Sequence, residues 1–165
     1  MSLKDNIAGI IAQEKGLMFD SFDEAAAFAI GSALRDRGLR EGLGIVADVR
    51  TWERPMFYMA LPGTNGDNWH WVRRKVNLVQ RHGKSSYRAH LEAGGDQPAL
   101  AAVSGLDNAD YVLRGGSFPI NVRGAGIIGA VTVSGLHERD DHAVVVDAIC
   151  DHLRLDKTAF ALPSL

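Results

Sequence analysis

Residues 115–149 read GGSFPINVRGAGIIGAVTVSGLHERDDHAVVVDAI. Gly115-Gly116 predicts a turn that runs into an extended segment ending near Val122. Gly124 helps a second turn, and residues 126–133 form another β-rich run. Two such runs joined by a short glycine turn make an antiparallel hairpin. The period then changes: Val144, Val145, Ala148, Ile149 and Leu153 predict a helix over 140–153. The same stretch matches G-x-G-x-x-G at Gly124–Gly129. A dinucleotide fingerprint needs a helix immediately after it, to present its N-terminus to the pyrophosphate. Here Ala130-Val131-Thr132-Val133 continues as strand, so these glycines read as a hairpin turn and a close backbone approach.

Working upstream, Ile7, Ile10 and Ile11 give a helix from Leu3 to Lys15 that Gly16 ends. Residues 17–19 read as a short extended piece. Ser21 with Glu24 makes a capping box for a second helix running through Ala25–Ala29 to Leu34, with Gly38 as its stop. Residues 43–49 and 56–61 read as a hairpin turning at 51–55, and residues 62–66 break it. Another helix begins near Asp67, with Trp69, Val72, Val76 and Val79 as its apolar stripe. Arg73, Arg74, Lys75 and Arg81 fall on its other faces, and Gly83 ends it. A shorter helical stretch runs from Ser85 to Glu92 and closes at Gly94-Gly95. Residues 96–113 show no readable pattern, and the tail from Asp156 reads as loose. The order α-α-β-β-α-α-β-β-α, with one further short strand, describes an α+β layered domain over 1–155 with a tail at 156–165.

At 165 residues, with 46% hydrophobic and 23% charged side chains, the chain has the composition of one globular domain. Its 18 basic and 20 acidic residues leave a net charge of −2, without the basic excess of a nucleic-acid binder. The lone Cys150 excludes an internal disulfide and reads as a buried inert thiol. No membrane-spanning run and no signal-like N-terminus are visible, so the expected address is the cytoplasm.

Candidate site residues come from three clusters. Arg73-Arg74-Lys75 offers cations for a carboxylate or phosphate, and Ser85-Ser86 offers hydroxyls or helix N-terminal amides to the same anion. Gly115-Gly116 before Phe118-Pro119 is a sharply turned backbone whose N–H groups face a ligand. Six histidines invite a metal reading, but no pair has the i, i+4 spacing of a metal-binding helix face, so no metal site is assigned. Among them His142, following Asp140-Asp141 at a helix start, and His70 are the candidates for contact with a ligand.

The quoted stretch resembles the haem-degrading domain family of GlcG- and HbpS-like proteins. It is closest to a conserved subgroup of that family without an assigned role. The resemblance is carried by Gly115–Ile120, by Ile128–Leu136 and by Asp141-His142. Asn68-Trp69, Arg74-Lys75, Ser85-Ser86-Tyr87 and Phe22-Asp23-Glu24-Ala25 extend it over about residues 20 to 153. It implies a profilin-like domain, a central antiparallel sheet of about five strands with helices on both sides, and a homo-oligomer, dimeric or larger. Haem binding belongs to the HbpS-type branch, and the resemblance carries no haem ligand onto a particular position here.

Three functions follow as expectations. In the first, the protein binds a small molecule, haem or another anionic ligand. Arg74 and Lys75 neutralise its acid groups, Gly115-Gly116 lines the pocket, and His142 or His70 supplies the polar or iron-contacting group. In the second it is a non-catalytic oligomeric scaffold or interaction module, with Trp52 and Trp71 at contacts. The third is a haem-degrading or other redox enzyme; no catalytic pair stands at a telling spacing, and catalysis is left open.

Overall fold

The computed structural model describes residues 2–95 and 105–164. Helix α1 (Leu3–Gly16) leads into a two-residue strand, β1 (Met18–Phe19). Helix α2 (Glu24–Glu41), strands β2 (Val46–Thr51) and β3 (Arg54–Ala60), and helices α3 (Gly66–His82) and α4 (Ser86–Glu92) follow. The remainder is β4 (Ser117–Val122), β5 (Gly126–Ser134) and α5 (Glu138–Leu153). One five-stranded sheet has the order β1-β4-β5-β2-β3. The hairpins β2–β3 and β4–β5 are antiparallel and join through an antiparallel β2–β5 seam. The expected antiparallel sheet is thus correct for those pairings, whereas β1 runs parallel to β4 at the margin. No helix among the described residues is long and apolar enough to cross a membrane.

Local chemistry moves some predicted boundaries. Helix α2 is capped by Asp23, whose side chain accepts the Ala26 N–H at 2.9 Å, and not by Ser21. It runs past Gly38 to a left-handed Gly42, because Gly38 is buried in the helix against Leu61. Gly83 does end α3, and Asn65 opens it with a capping box to Asn68. The tail is not loose. Residues Lys157–Phe160 form a 3₁₀ turn, and Gln13 Nε2 donates to the Phe160 carbonyl at 2.7 Å. The unread segment at 96–104 lies outside the described residues.

The two sheet faces differ in chemistry. One carries Ile45, Ala47, Val49, Phe118, Ile120, Val131 and Val133, and packs on α2 and α5 to form the main core. Alternation puts Val46, Asp48 and Arg50 on the other face, toward α3. There Asp48, Thr132 and Ser117 stand in one row across three strands. Arg50 holds the buried Asp48 carboxylate bidentately at 2.6 and 2.7 Å, beneath the Trp69 ring. Burial alone pushes the Asp48 carboxyl above its ordinary range, and the guanidinium opposes that push.

His142 belongs to this framework. It is fully buried in α5 between the Tyr87 and Phe118 rings. Its Nε2 lies 2.8 Å from Gln13 Oε1. Since the Gln13 amide donates to Phe160, that oxygen accepts, and His142 is assigned as the neutral Nε2–H tautomer. Burial brings its pKa down to about 3. Between that value and the ordinary 6.5 the unfolded chain binds the extra proton, so stability is lost as the pH is lowered through that window.

Two predictions follow from this packing. On lowering the pH from 6.5 toward 3, the unfolding free energy should drop at up to about 1.4 kcal/mol per pH unit from this group. The slope should be reduced in His142→Gln, compared by urea unfolding at a series of pH values. Separately, a methyl group at Gly129 would meet the Arg50 carbonyl and Thr51 Cα. Gly129→Ala should cost roughly 1–3 kcal/mol, whereas Gly66→Ala, in open space at the start of α3, should be neutral or stabilising. The urea midpoints decide both.

Candidate functional site

On α3, Asn68, Trp71 and Lys75 fall at steps of three and four and share one face. That face meets the end of β5 and the first turn of α5. Between them lies a cleft of about 220 Å³, also lined by Arg114, Ser134, Gly135, Leu136, Glu138 and Asp141. Asn68 Nδ2 reaches Ser134 Oγ at 3.4 Å, tying the start of α3 to the end of β5.

Lys75 forms the floor. The sequence reading put it on a polar helix face; it is instead 3% exposed. Its Nζ donates to the Val133 carbonyl and to Asp141 Oδ2, both at 3.0 Å. The other Asp141 oxygen accepts the Leu136 N–H at 2.9 Å. An ammonium has three protons, and these two bonds leave one without an acceptor among the described residues, in a side chain that lines the cleft. Desolvation is the largest influence on both partners. It lowers the Lys75 pKa and raises that of Asp141, against their mutual attraction.

Gly116 lets this pair sit flush on the backbone. Its φ is 122°, and a Cβ there would meet the Val133 carbonyl, Lys75 Nζ at 2.8 Å and Asp141 Cβ at 2.9 Å. Gly116 gives its carbonyl to the Val133 N–H. Gly115 is equally enclosed, between Tyr87 and the Glu138 carbonyl. The two glycines therefore let the backbone pack closely against the Lys75–Asp141 pair and the start of α5.

The other expected residues separate into groups. Arg74 lies beside the cleft, with its guanidinium 5.0 Å from the Trp71 ring centre. Its Nε is buried without a hydrogen-bond partner, and no carboxylate among the described residues pairs with it. Arg73 is engaged by Asp110 and the Ala109 carbonyl. Ser85 caps α4, and Ser86 Oγ accepts the Ser117 N–H at 3.0 Å. Both serines are buried structural groups, not anion ligands. Phe118 and Pro119 are buried in β4. Because residues 116 and 133 are a hydrogen-bonded pair, Pro119 turns its missing N–H away from β5. His142 is the core residue described above. His70 is exposed on α3, off the face that lines the cleft. Cys150 is buried, its thiol pushed up to about 11.

Trp71 lines the cleft, and Trp52 packs on Val46, Val72 and Val76. Sequence reasoning passed over Arg114, Glu138 and Asp141 as site residues. Glu138 lies 3.9 Å from Arg114 and 3.4 Å from the buried His90 ring. Asp141 stands 66 positions from Lys75, so no local spacing links them. The available signal was the unusual Ser134-Gly135-Leu136 turn just before a helix bearing three acids in its first turn. Among the described residues no cluster of His, Cys, Asp and Glu is placed to hold a metal ion.

Comparison with known proteins places this architecture. A UPF0303 protein of Mesorhizobium japonicum is 52% identical over 164 residues, covering 99% of this chain and 98% of its own. The crystal structure of the Ybr137w protein superposes with a TM-score of 0.83 at 21% identity, over 92% of this chain and 94% of that one. A PduOC:haem complex shares the fold at a TM-score of 0.61 and 14% identity, over 79% and 94%. The family model of the haem-degrading HbpS-like proteins matches residues 22–150. On that match, and on a relative more than half identical along nearly its whole length, the chain belongs to the HbpS-like haem-degrading protein family.

Proposed function

We propose that the protein binds a small anionic ligand in the cleft between α3 and the start of α5. The observation that carries this is the buried Lys75 ammonium, which lines the cleft beside Arg114 with only two of its three protons bonded to described residues. Lys75 and Arg114 line it together with Asp141 and Glu138, and Arg74 adds a further cation beside it on the Trp71 ring. A carboxylate or phosphate would take Arg114 and Lys75 as charge-assisted donors, with Trp71 as an apolar wall and Arg74 stacked on it. A cytoplasmic setting belongs to this reading, since the single cysteine is buried and needs no oxidising compartment.

The family description and the PduOC:haem structure make haem a natural candidate. The residues of this cleft do not fit it. The space falls below the roughly 300–1,000 Å³ of sites for drug-sized ligands, and among the described residues no histidine or cysteine lines it. His142 has its Nε2 committed to Gln13, and His70 lies elsewhere on α3. No role in this cleft is therefore given to haem.

A second reading concerns assembly. Strand β3 is the outer strand of the sheet, and exposed Tyr58 lies edge-to-face with exposed Trp69 at 5.5 Å. An unpaired edge beside an aromatic patch suits a second copy of the chain, giving the homo-oligomer. Sedimentation should show a dimer or larger at micromolar concentration, dissociated by Tyr58→Glu; a wild-type monomer would overturn it.

The binding reading is tested through tryptophan fluorescence, since Trp71 lines the site. Titration with small carboxylates and with inorganic phosphate should give a saturable change. Arg114→Gln should weaken binding by about tenfold or more, the equivalent of one charge-assisted hydrogen bond of roughly 1.5–3 kcal/mol. Hemin titrated in parallel should give no Soret shift that competes with those anions. Absence of any saturable anion response, with a one-per-subunit Soret shift instead, would sink the assignment. Lys75 is unsuitable for this comparison. Lys75→Met leaves Asp141 buried and uncompensated, and should cost about 3–5 kcal/mol of stability, measured by urea unfolding.

A further inference from the structure

We propose that Lys75 is an imine-forming amine, and that the cleft takes a small aldehyde or ketone bearing a carboxylate, whose carbonyl carbon Lys75 Nζ bonds covalently. This rests on the binding reading above and narrows its ligand to a carbonyl acid. The structure offers four supports. Nζ ends at the cleft floor with one proton not engaged by protein. Asp141 Oδ2, 3.0 Å away, is a proton acceptor held in place by the Leu136 N–H on its other oxygen. Arg114 is close enough to weigh on the Lys75 charge, and its own 3.9 Å approach to Glu138 is too long for a hydrogen bond, so its donors remain for a carboxylate. Finally, the cleft volume of about 220 Å³ lies below the roughly 300–1,000 Å³ of sites for drug-sized ligands, which favours a small molecule.

The step balances without an oxidant or reductant. The Lys75 ammonium passes one proton to Asp141, and its freed lone pair attacks the carbonyl carbon while the carbonyl π pair moves to oxygen. Proton transfer through Asp141, from nitrogen to that oxygen, gives the neutral carbinolamine and leaves Asp141 protonated. Asp141 then protonates the hydroxyl. Water departs with the C–O bonding pair, and the nitrogen lone pair forms C=N. The product is a protonated imine facing the Asp141 carboxylate, so the cleft ends with the charge it began with. Burial favours the first proton transfer, because it disfavours the charged forms of both partners.

The test uses the intact wild-type protein with pyruvate as the probe and cyanoborohydride as the trap, followed by peptide mass spectrometry. The expected result is a reduced pyruvate adduct on Lys75, exceeding that on Lys4, Lys15, Lys84 or Lys157 by about tenfold or more, as a positioned reactant allows. Lactate, which has the carboxylate without the carbonyl, should protect Lys75. Arg114→Gln should lower the adduct yield by a similar factor at limiting pyruvate while leaving the circular dichroism unchanged. Labelling of Lys75 no greater than that of the exposed lysines overturns the proposal. If lactate still gives a saturable fluorescence change in that case, the anion site stands and only the imine falls. If neither acid gives one, both fall together.

Discussion

A lysine ammonium bonded inside the protein to a strand carbonyl and a helix carboxylate ties α3, β5 and α5 together. Lys75 brings α3 onto β5 through Val133, and onto α5 through Asp141. Asp141 in turn gathers the Leu136 turn between those two elements. Removing two charges from water is costly unless their remaining donors and acceptors find partners. Here all but one of the Lys75 protons do among the described residues, and the side chain lines the cleft. The demand propagates backward to Gly116, where a side chain would occupy the space of the pair itself.

The same helix, α5, carries two buried titratable groups with opposite fates. Asp141 keeps a cationic partner and faces a cleft. One residue later His142 points into aromatic rings and a glutamine, and burial holds it neutral. Adjacent positions on a helix are turned about 100° apart. That rotation is enough to make one group part of a site and the other part of the core.

The architecture was legible where the signal is local. The hairpins, the α3 stop at Gly83 and the strand that follows Gly124 all rest on glycine turns and short-range periodicity. The α2 boundaries were misread because Asp23 competed with Ser21 for the cap, and Gly38 served packing against Leu61 instead of chain reversal. Lys75 was legible as a cation but not as a buried one, since its partner lies far along the chain. Histidines attracted attention by type, yet only packing shows that His142 is enclosed. Arg114 and Glu138 carried no motif, and become site residues only when α3 and α5 meet.

The sheet order also decides when the cleft first exists. Each hairpin closes from neighbouring residues, but the β2–β5 seam pairs residues about eighty positions apart, from Val46 with Ser134 to Thr51 with Gly129. Asn68, Trp71 and Lys75 come before that closure in the chain, and Ser134, Glu138 and Asp141 come after it. Contacts between such distant segments form late relative to local ones. During synthesis, therefore, the N-terminal half emerges with Lys75 still in water, and the cleft is complete only once the final helix has been made and docked.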